Sequence, residues 1–388
     1  MLKKSLRYDT ISHMHHKILP KQILPAITAL VVLLKLITLF GIGFASSFIF
    51  SPSRVTDFGF LEAWNIWDAP HYLDIAAKGY QTTGDMANFI VFFPVFPLAI
   101  ALFHLVSFIP ILLSSYIVTL LASIGAGFFL YKLVLLDEEP RVALLSVLLL
   151  FLFPTAFFLH IPYTESLMVF FVTASFYFVR QKKYLIGFIF AMLASTTRLT
   201  GLAIIPALIF ELYFYHRDIF KHKLPLPWLL VFIVPPLGFA AYLFLNLYLF
   251  GDLTHFLQVQ KSNWGTEISF SLKGLTEAIN NIAWRRPDEA LYIGYAQVGA
   301  FILGTAGLIY TSVKLRISYA VYYFFGFLVI ILPSFWLSLP RYELVLFPMF
   351  MMLAKLSRNK LFLTLWIAVS LVFYLMFSLI AVQHGPVF

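Results

Sequence analysis

The sequence predicts an all-α membrane protein that crosses the bilayer many times. Of its 388 residues, 61% are hydrophobic and only 12% are charged, and the mean hydropathy is +0.90. A soluble globular protein is typically about half apolar and about a quarter charged, so this composition excludes a soluble enzyme and a disordered chain. The absence of cysteine also excludes a secreted disulfide-bonded scaffold. Because a transmembrane helix requires about 20 apolar residues, the chain has room for about ten or twelve.

The chain begins with a basic segment, residues 1–21, which we expect to form a cytoplasmic N-terminus. The apolar stretch 23–50 that follows is too long for the core of a signal peptide and lacks a small-residue cleavage site. It is therefore predicted to be a retained first span. Lys35 lies in the middle of this span and is expected either to snorkel or to pair within the bundle, as a structural residue.

The first long external loop is predicted over residues 51–110. Its first part is polar and aromatic, which favours short amphipathic helices on the membrane surface. Residues 92–107 are apolar enough to cross the bilayer, but a crossing would place the basic turn 180–183 outside. We therefore predict a surface or re-entrant helix at 92–107, with a crossing as the alternative.

The rest of the chain is predicted to contain ten further spans, which makes eleven in one transmembrane domain, 1–388. Their approximate bounds are 112–135, 142–160, 164–180, 184–197, 199–215, 226–250, 291–313, 317–338, 342–356 and 361–382. A second long external loop is predicted over 251–290. In this topology 18 of the 27 Lys and Arg residues lie on the cytoplasmic side, as the positive-inside rule requires. The acidic residues at positions 137, 138 and 139, in a cytoplasmic turn, are interpreted as a solvated charge run.

A polar and aromatic cluster in the first loop is the main candidate for a functional site. In WDAPHYLDIA (67–76) a helix is expected to begin near Pro70, which places Asp68 at or just before its N-terminus. Asp68 is then either an N-cap or a carboxylate that accepts a proton from a hydroxyl at the membrane–water boundary. His71 and Tyr72 follow one turn later. Trp67 is expected to be an interfacial anchor or a surface for stacking a sugar.

Four blocks of the sequence resemble the PIG-V-type mannosyltransferases, which comprise GPI mannosyltransferase II and its bacterial relatives within the GT-C glycosyltransferases. In family order, they are WDAPHYLDIAAKGY (67–80) with FFPVFPLAI (92–100), FPTAFFLHIPYTESLMVFF (153–171), ASTTRLTGLAIIP (194–206) and LPRYELVLFP (339–348). The chain departs from many bacterial relatives at His71, where they carry an aromatic residue.

The resemblance implies a GT-C fold and an inverting transfer of mannose, or a related hexose, from a polyprenyl- or dolichyl-phosphate to an extracytoplasmic acceptor hydroxyl. By match to the first block, Asp68 is the catalytic carboxylate. The chemistry agrees with this assignment, because a polyprenyl phosphate is already a good leaving group and only the attacking hydroxyl needs a base. A glycosidase, in contrast, needs two opposed carboxylates.

The donor phosphate requires cations, and the matched blocks supply Arg198 and Arg341. The planar guanidinium of arginine binds phosphate oxygens bidentately, although both residues could instead snorkel to the interface. Glu165 begins a predicted span and is either a site residue or a plain helix cap. Tyr342 belongs to the same block as Arg341 and completes the predicted substrate-binding set.

No cofactor is expected: the sequence has no metal-ligand spacing, no P-loop and no dinucleotide motif. A divalent ion shared by Asp68 and Glu165 is the less favoured alternative. The net charge of +9 is attributed to basic cytoplasmic loops and not to nucleic-acid binding.

The expected partners are a lipid-linked sugar, membrane lipids and a glycan, glycolipid or protein acceptor. The lack of cysteine and of Asn-x-Ser/Thr sites favours a bacterial plasma membrane over the endoplasmic reticulum. The alternative function is that of a transporter or a flippase of lipid-linked sugars, and a structural membrane subunit is a third possibility.

Overall fold

The chain is helical throughout the residues that the structure describes. The computed structural model describes residues 22–50, 53–217 and 226–385, so the predicted cytoplasmic segment 1–21 lies outside them. Within these ranges, extended backbone pairs only at an isolated antiparallel bridge between Ile268 and Pro333. This bridge ties the second long loop to the residues that follow the helix ending at Ile331.

The helices are numbered here in chain order. They are α1 (Ile23–Ile49), α2 (Arg54–Phe58), α3 (Ala69–Lys78), α4 (Val95–Ser107), α5 (Ile111–Val134), α6 (Pro140–Phe151), α7 (Glu165–Arg180), α8 (Tyr184–Ser195), α9 (Ile204–Tyr215), α10 (Leu226–Phe250), α11 (His255–Trp264), α12 (Lys273–Trp284), α13 (Pro287–Ala290), α14 (Leu291–Lys314), α15 (Ile317–Ile331), α16 (Leu339–Tyr342), α17 (Phe347–Leu356) and α18 (Lys360–Val382).

Five of the described helices, α1, α5, α10, α14 and α18, are long and apolar enough to cross a bilayer, with 23 to 27 residues each. At 1.5 Å per residue the shortest is about 34 Å long, more than the hydrocarbon core of about 30 Å. A sixth crossing exists if the turn Asp85–Val91 and α4, which are bent by 112° relative to each other, form one broken span. The protein is therefore a multi-pass integral membrane protein.

The prediction of eleven full spans is wrong: five or six such spans are present among the described residues. The bounds of the five long helices agree with the predicted ones to within one residue. At the other predicted spans the helices are short. The 12-residue helices α6 and α8, for example, are about 18 Å long. Hydropathy does not detect these helix ends, because the residues beyond them are also apolar, whereas a proline downstream, such as Pro154 or Pro333, stops the helix.

Three interruptions of the helical bundle meet at one end of it and carry the polar residues of interest. The first break, 152–164, separates α6 from α7; the second break, 196–203, separates α8 from α9; and the third break, 332–346, holds only α16 and a 3₁₀ turn. α5 packs against α1 and α7, α7 against α8, and α8 against α10, while α6 packs on α17. This packing brings the three breaks together beneath α3 of the first long loop.

The opposite ends of the same helices are joined by ion pairs, which corrects the interpretation as a solvated charge run for Asp137 and Glu138, whereas Glu139 is 52% exposed. Asp137 accepts hydrogen bonds from Arg180 through both carboxylate oxygens and a third from Tyr319, and its side chain is only 10% exposed. Glu138 and Glu139 pair with basic side chains at the end of α17 and just beyond it. These turns therefore fasten α5, α7, α15 and α17 to one another.

Candidate active site

Asp68 lies at the N-cap position of α3, as the proline in the first helical turn predicts, but its carboxylate does not cap the helix. Its backbone carbonyl instead accepts hydrogen bonds from the amides of His71 and Tyr72 at 3.1 and 3.2 Å. The carboxylate is turned toward Arg341, whose Nη1 lies 3.4 Å from Oδ2, and the side chain remains 26% exposed. The geometry therefore disagrees with the N-cap interpretation of this side chain.

The residue before this carboxylate has a strained backbone. Trp67 has a φ of 49°, in the left-handed region that a non-glycine residue adopts at a cost of about 1–2 kcal/mol. Its half-buried ring packs on Phe158, with ring centroids 6.2 Å apart, and meets the ring of His384 edge-on at 6.1 Å. Strain of this kind is concentrated at functional sites, where the surrounding structure fixes a particular side-chain direction.

Glu165 is the centre of the charged cluster. It is the first residue of α7 and is fully buried, and its Oε1 accepts a hydrogen bond from Arg198 at 2.5 Å. The same oxygen lies 3.3 Å from Nε of Arg341, so one carboxylate oxygen faces two guanidinium groups. Its other oxygen, Oε2, has no hydrogen-bond partner among the described residues. Glu165 is therefore more than a helix cap at the interface.

Arg198 lies in the second break, in extended backbone where α8 has ended. Besides Glu165, its Nη1 contacts Thr164 Oγ1 at 3.0 Å, and its guanidinium lies 4.6 Å from the ring centroid of Tyr342. Its side chain is 17% exposed. The guanidinium is thus held inside the cluster and does not snorkel freely.

Arg341, on α16 of the third break, is more deeply buried, with 6% of its side chain exposed. Its guanidinium packs over the rings of Phe158, Tyr163 and Tyr342 at 4.7 to 5.2 Å, and its Nη2 donates to the Tyr342 hydroxyl at 3.1 Å. Aromatic faces attract a cation and exclude water from it. Arg341 bridges Asp68 and Glu165 and holds the first loop against the bundle.

Tyr163 is a residue of this site that the sequence did not single out. Its hydroxyl accepts the backbone N–H of Asp68 at 3.1 Å and donates to the carbonyl of Ile66 at the same distance. It thereby fixes the backbone on both sides of Trp67. Tyr163 lies inside the second matched block, two residues before Glu165, so its position in that block was the one available signal.

The rings of His71 and Tyr72 pack in aromatic surroundings beside the charged cluster. The ring of His71 is 4.3 Å from that of Phe89 and 5.2 Å from that of Phe92, and burial lowers the pKa of His71 below 6.5 despite the opposing charges of two nearby aspartates. Tyr72 is buried, and burial raises the pKa of its hydroxyl well above 10. Both side chains are therefore uncharged at neutral pH.

The cluster contains two carboxylates and two guanidinium groups, contributed by the first loop, the start of α7, and the second and third breaks. Its formal charges balance, and only Asp68 and Arg198 retain appreciable exposure. Such an arrangement combines a partly exposed proton acceptor with cations that can receive an anion. No group of three His, Asp or Glu side chains comes together within 22–50, 53–217 and 226–385, and Glu165 already faces two cations, which disfavours a metal shared with Asp68.

Comparisons with known proteins identify the fold. No family model and no curated protein sequence matches the chain. Among solved structures, the chain is similar to the oligosaccharyltransferase of Archaeoglobus fulgidus tethered to an acceptor peptide with an NVT sequon, with a TM-score of 0.51, 13% identity and 95% of this chain covered. The apo form of that protein gives a TM-score of 0.50, 12% identity and the same coverage of this chain.

The chain spans only 56% and 57% of the length of those two solved chains. At this low identity the likeness concerns the fold. The chain is therefore an all-α polytopic membrane protein whose fold is similar to that of about half of the archaeal oligosaccharyltransferase chain. Membership of the PIG-V family is not confirmed by these comparisons.

Proposed function

We propose that this protein is an integral-membrane glycosyltransferase that transfers mannose, or a related hexose, from a polyprenyl- or dolichyl-phosphate to an acceptor hydroxyl with inversion. The observation that carries the proposal is the partly exposed carboxylate of Asp68 beside two arginines that converge on one buried glutamate. The GT-C-like fold and the four PIG-V-like sequence blocks support it independently.

In the proposed reaction Asp68 acts as the general base. As the acceptor oxygen attacks the anomeric carbon, its proton passes to a carboxylate oxygen of Asp68. The bond between the anomeric carbon and the phosphate oxygen breaks, and the lipid phosphate leaves with the electron pair. No acid needs to protonate this leaving group, so one carboxylate suffices.

Two neighbouring groups are poorer candidates for the base. The His71 ring packs against the rings of Phe89 and Phe92, and burial lowers its pKa, which makes the imidazole a weaker proton acceptor. The Tyr72 hydroxyl stays protonated because burial raises its pKa. Asp68 differs from both in that its carboxylate, which is 26% exposed, contacts Arg341 of the charged cluster.

The two arginines have different proposed roles. Arg198 contacts Glu165 and Thr164 through a single nitrogen, Nη1, and is the more exposed of the two, so we assign it to the donor phosphate. Arg341 contacts Asp68, Glu165 and Tyr342 at once and is nearly buried, so we assign it to holding Asp68 in place. Trp67 and Tyr342 are proposed to border the sugar.

We further propose that the site faces the extracytoplasmic side, in a bacterial plasma membrane. The helix ends opposite the site carry the basic residues Lys132, Arg141, Arg180, Lys314, Arg316, Lys355 and Arg358. The positive-inside rule favours a cytoplasmic location for that end of the bundle. The acceptor is then a glycan, glycolipid or protein of the cell envelope.

The decisive experiment supplies the purified protein with radiolabelled polyprenyl-phosphate mannose and identifies what becomes labelled. Asp68→Asn should reduce sugar transfer by about 100-fold or more, as expected for the loss of a general base. Asp74→Asn is the matched control, because Asp74 lies on the same helix but forms an exposed ion pair with Lys78. Near-normal turnover by Asp68→Asn would refute the assignment.

The alternative, a transporter or a flippase of lipid-linked sugars, draws on the buried cations Lys35 and Arg198. In the structure both cations are already engaged, Lys35 by a backbone carbonyl and Arg198 by Glu165. A flippase moves the donor without breaking its sugar–phosphate bond. Recovery of intact donor on the other side of proteoliposomes, with no release of lipid phosphate, would favour the alternative.

A further inference from the structure

The first break is an unusual segment for the interior of a helical bundle. From residue 153 to residue 164 the backbone is not α-helical, yet every residue except Pro154 is buried. Such a segment lacks the regular partners of a helix, and a buried carbonyl without a donor is costly. Non-helical backbone inside a membrane protein is tolerated only where other protein groups satisfy it.

Two consecutive carbonyls of this break are satisfied by side chains from distant helices. Where the 3₁₀ turn Ala156–Leu159 ends, the carbonyl of Leu159 accepts the hydroxyl of Ser123 on α5 at 2.6 Å. The carbonyl of His160 accepts Nζ of Lys35 on α1 at 2.9 Å. The break is thus fastened to two of the membrane-spanning helices just before it reaches Tyr163.

Burying the lysine side chain of Lys35 inside a membrane span is energetically unfavourable. It lies mid-way along a span and is only 6% exposed, with its ammonium 5.5 Å from the ring centroid of Tyr116. A charged group inside a span is rare and generally functional. Both ring nitrogens of His160 lack hydrogen-bond partners among the described residues, and Lys35 contacts that residue at its backbone carbonyl.

We infer that Lys35 is a positioning residue of the site: its ammonium fixes the first break, which carries Phe158, Tyr163 and Glu165 to Asp68 and the two arginines. Lys35 donates to the carbonyl of His160, which lies three residues before Tyr163 in the sequence. The hydroxyl of Tyr163 in turn contacts the backbone N–H of Asp68. The catalytic consequence rests on the proposed function; the structural consequence, an ordered break, does not.

The kinetic test is a double-mutant cycle. Lys35→Met should lower kcat for sugar transfer by about tenfold, the effect of roughly one lost buried hydrogen bond, while KM for the lipid donor changes little. Lys35→Arg and Lys35→Gln, which keep a donor, should recover most of the loss. If Lys35 acts through the break, adding Tyr163→Phe to Lys35→Met should cost little beyond the larger single effect. Full activity of Lys35→Met, or additive losses in the double variant, would overturn the inference.

A second test needs no activity. Hydrogen exchange in detergent micelles should show faster exchange of the amides of 153–163 in Lys35→Met, or in Lys35→Leu if the methionine variant does not fold. The matched control is Arg180→Met, which breaks a buried ion pair at the opposite end of the bundle and should speed exchange of 153–163 only as far as global stability falls, and so less than the Lys35 variants do. Unchanged exchange in the Lys35 variants would refute the inference. If the parent protein transfers no sugar, the proposed function fails while this result still decides the role of Lys35.

Discussion

Glu165→Gln is the substitution whose effect the structure defines best. The change removes one charge and keeps the shape of the side chain. The native carboxylate is fully buried and faces Arg198 at 2.5 Å and Arg341 at 3.3 Å. The amide that replaces it cannot compensate either guanidinium, so two largely buried cations remain with Asp68 as the nearest acid.

The expected loss of folding stability in Glu165→Gln follows from the burial of the charges involved. Removing one partner of a buried ion pair typically costs about 3–5 kcal/mol, because the remaining charge stays desolvated. The chain provides a matched comparison in Glu289, which also contacts two arginines, Arg285 at 3.5 Å and Arg286 at 2.6 Å, but with side chains that are 54% and 75% exposed. Exposed pairs of this kind contribute about 0–1 kcal/mol each.

The assay is the free energy of unfolding in detergent, measured by denaturant titration for the parent protein, Glu165→Gln and Glu289→Gln. We expect Glu165→Gln to lose about 3 kcal/mol or more and Glu289→Gln to lose about 1 kcal/mol or less. An anion that binds the two freed arginines should restore part of the loss in the first variant alone. Equal losses in the two variants would refute the view that Glu165 neutralises a buried cation pair.

Three further predictions concern the surrounding residues. Arg198→Ala should weaken binding of polyprenyl phosphate, measured by titration in detergent, more than Arg198→Lys does, because lysine keeps the charge but loses the bidentate fork; unchanged affinity in both would remove Arg198 from the phosphate site. Because burial lowers the pKa of His71 below 6.5 in the folded state, the stability it confers is present above pH 6.5 and is lost as the pH falls below that value. His71→Phe should therefore lose less thermal stability than the parent between about pH 7.5 and about pH 5, and equal losses would contradict this. Arg180→Met should lower the free energy of unfolding by about 3 kcal/mol, since Asp137 is left buried and unpaired, without changing sugar transfer per folded molecule.

The sequence identified the long helices well because composition alone determines them. A predominantly apolar stretch of 23 or more residues has few alternatives to a membrane span, and the predicted bounds of these helices match the structure to within one residue. The shorter helices were overestimated, because an apolar break such as 152–164 has the same hydropathy as a helix. What distinguishes it is where its carbonyls find donors, and that depends on residues more than a hundred positions away, such as Lys35.

The residues of the candidate site were also predicted from the sequence, but their contacts were not. The matched blocks indicated Asp68, Glu165, Arg198 and Arg341, and the structure brings all four into one cluster. Their individual contacts could not be predicted, because a single carboxylate oxygen facing two arginines is a property of three-dimensional packing. His71, grouped with them in sequence, lies instead against phenylalanine rings.

The order of synthesis bears on how the buried glutamate enters the membrane. Glu165 precedes Arg198 by 33 residues, whereas Arg341 is translated much later. A nascent chain that has not reached position 341 can therefore hold this acid in a one-to-one pair and avoid inserting a bare charge into lipid. Asp68 acquires its contact with Arg341 only when α16 has been synthesised. If the proposed function holds, a chain that ends before α16 should therefore transfer no sugar.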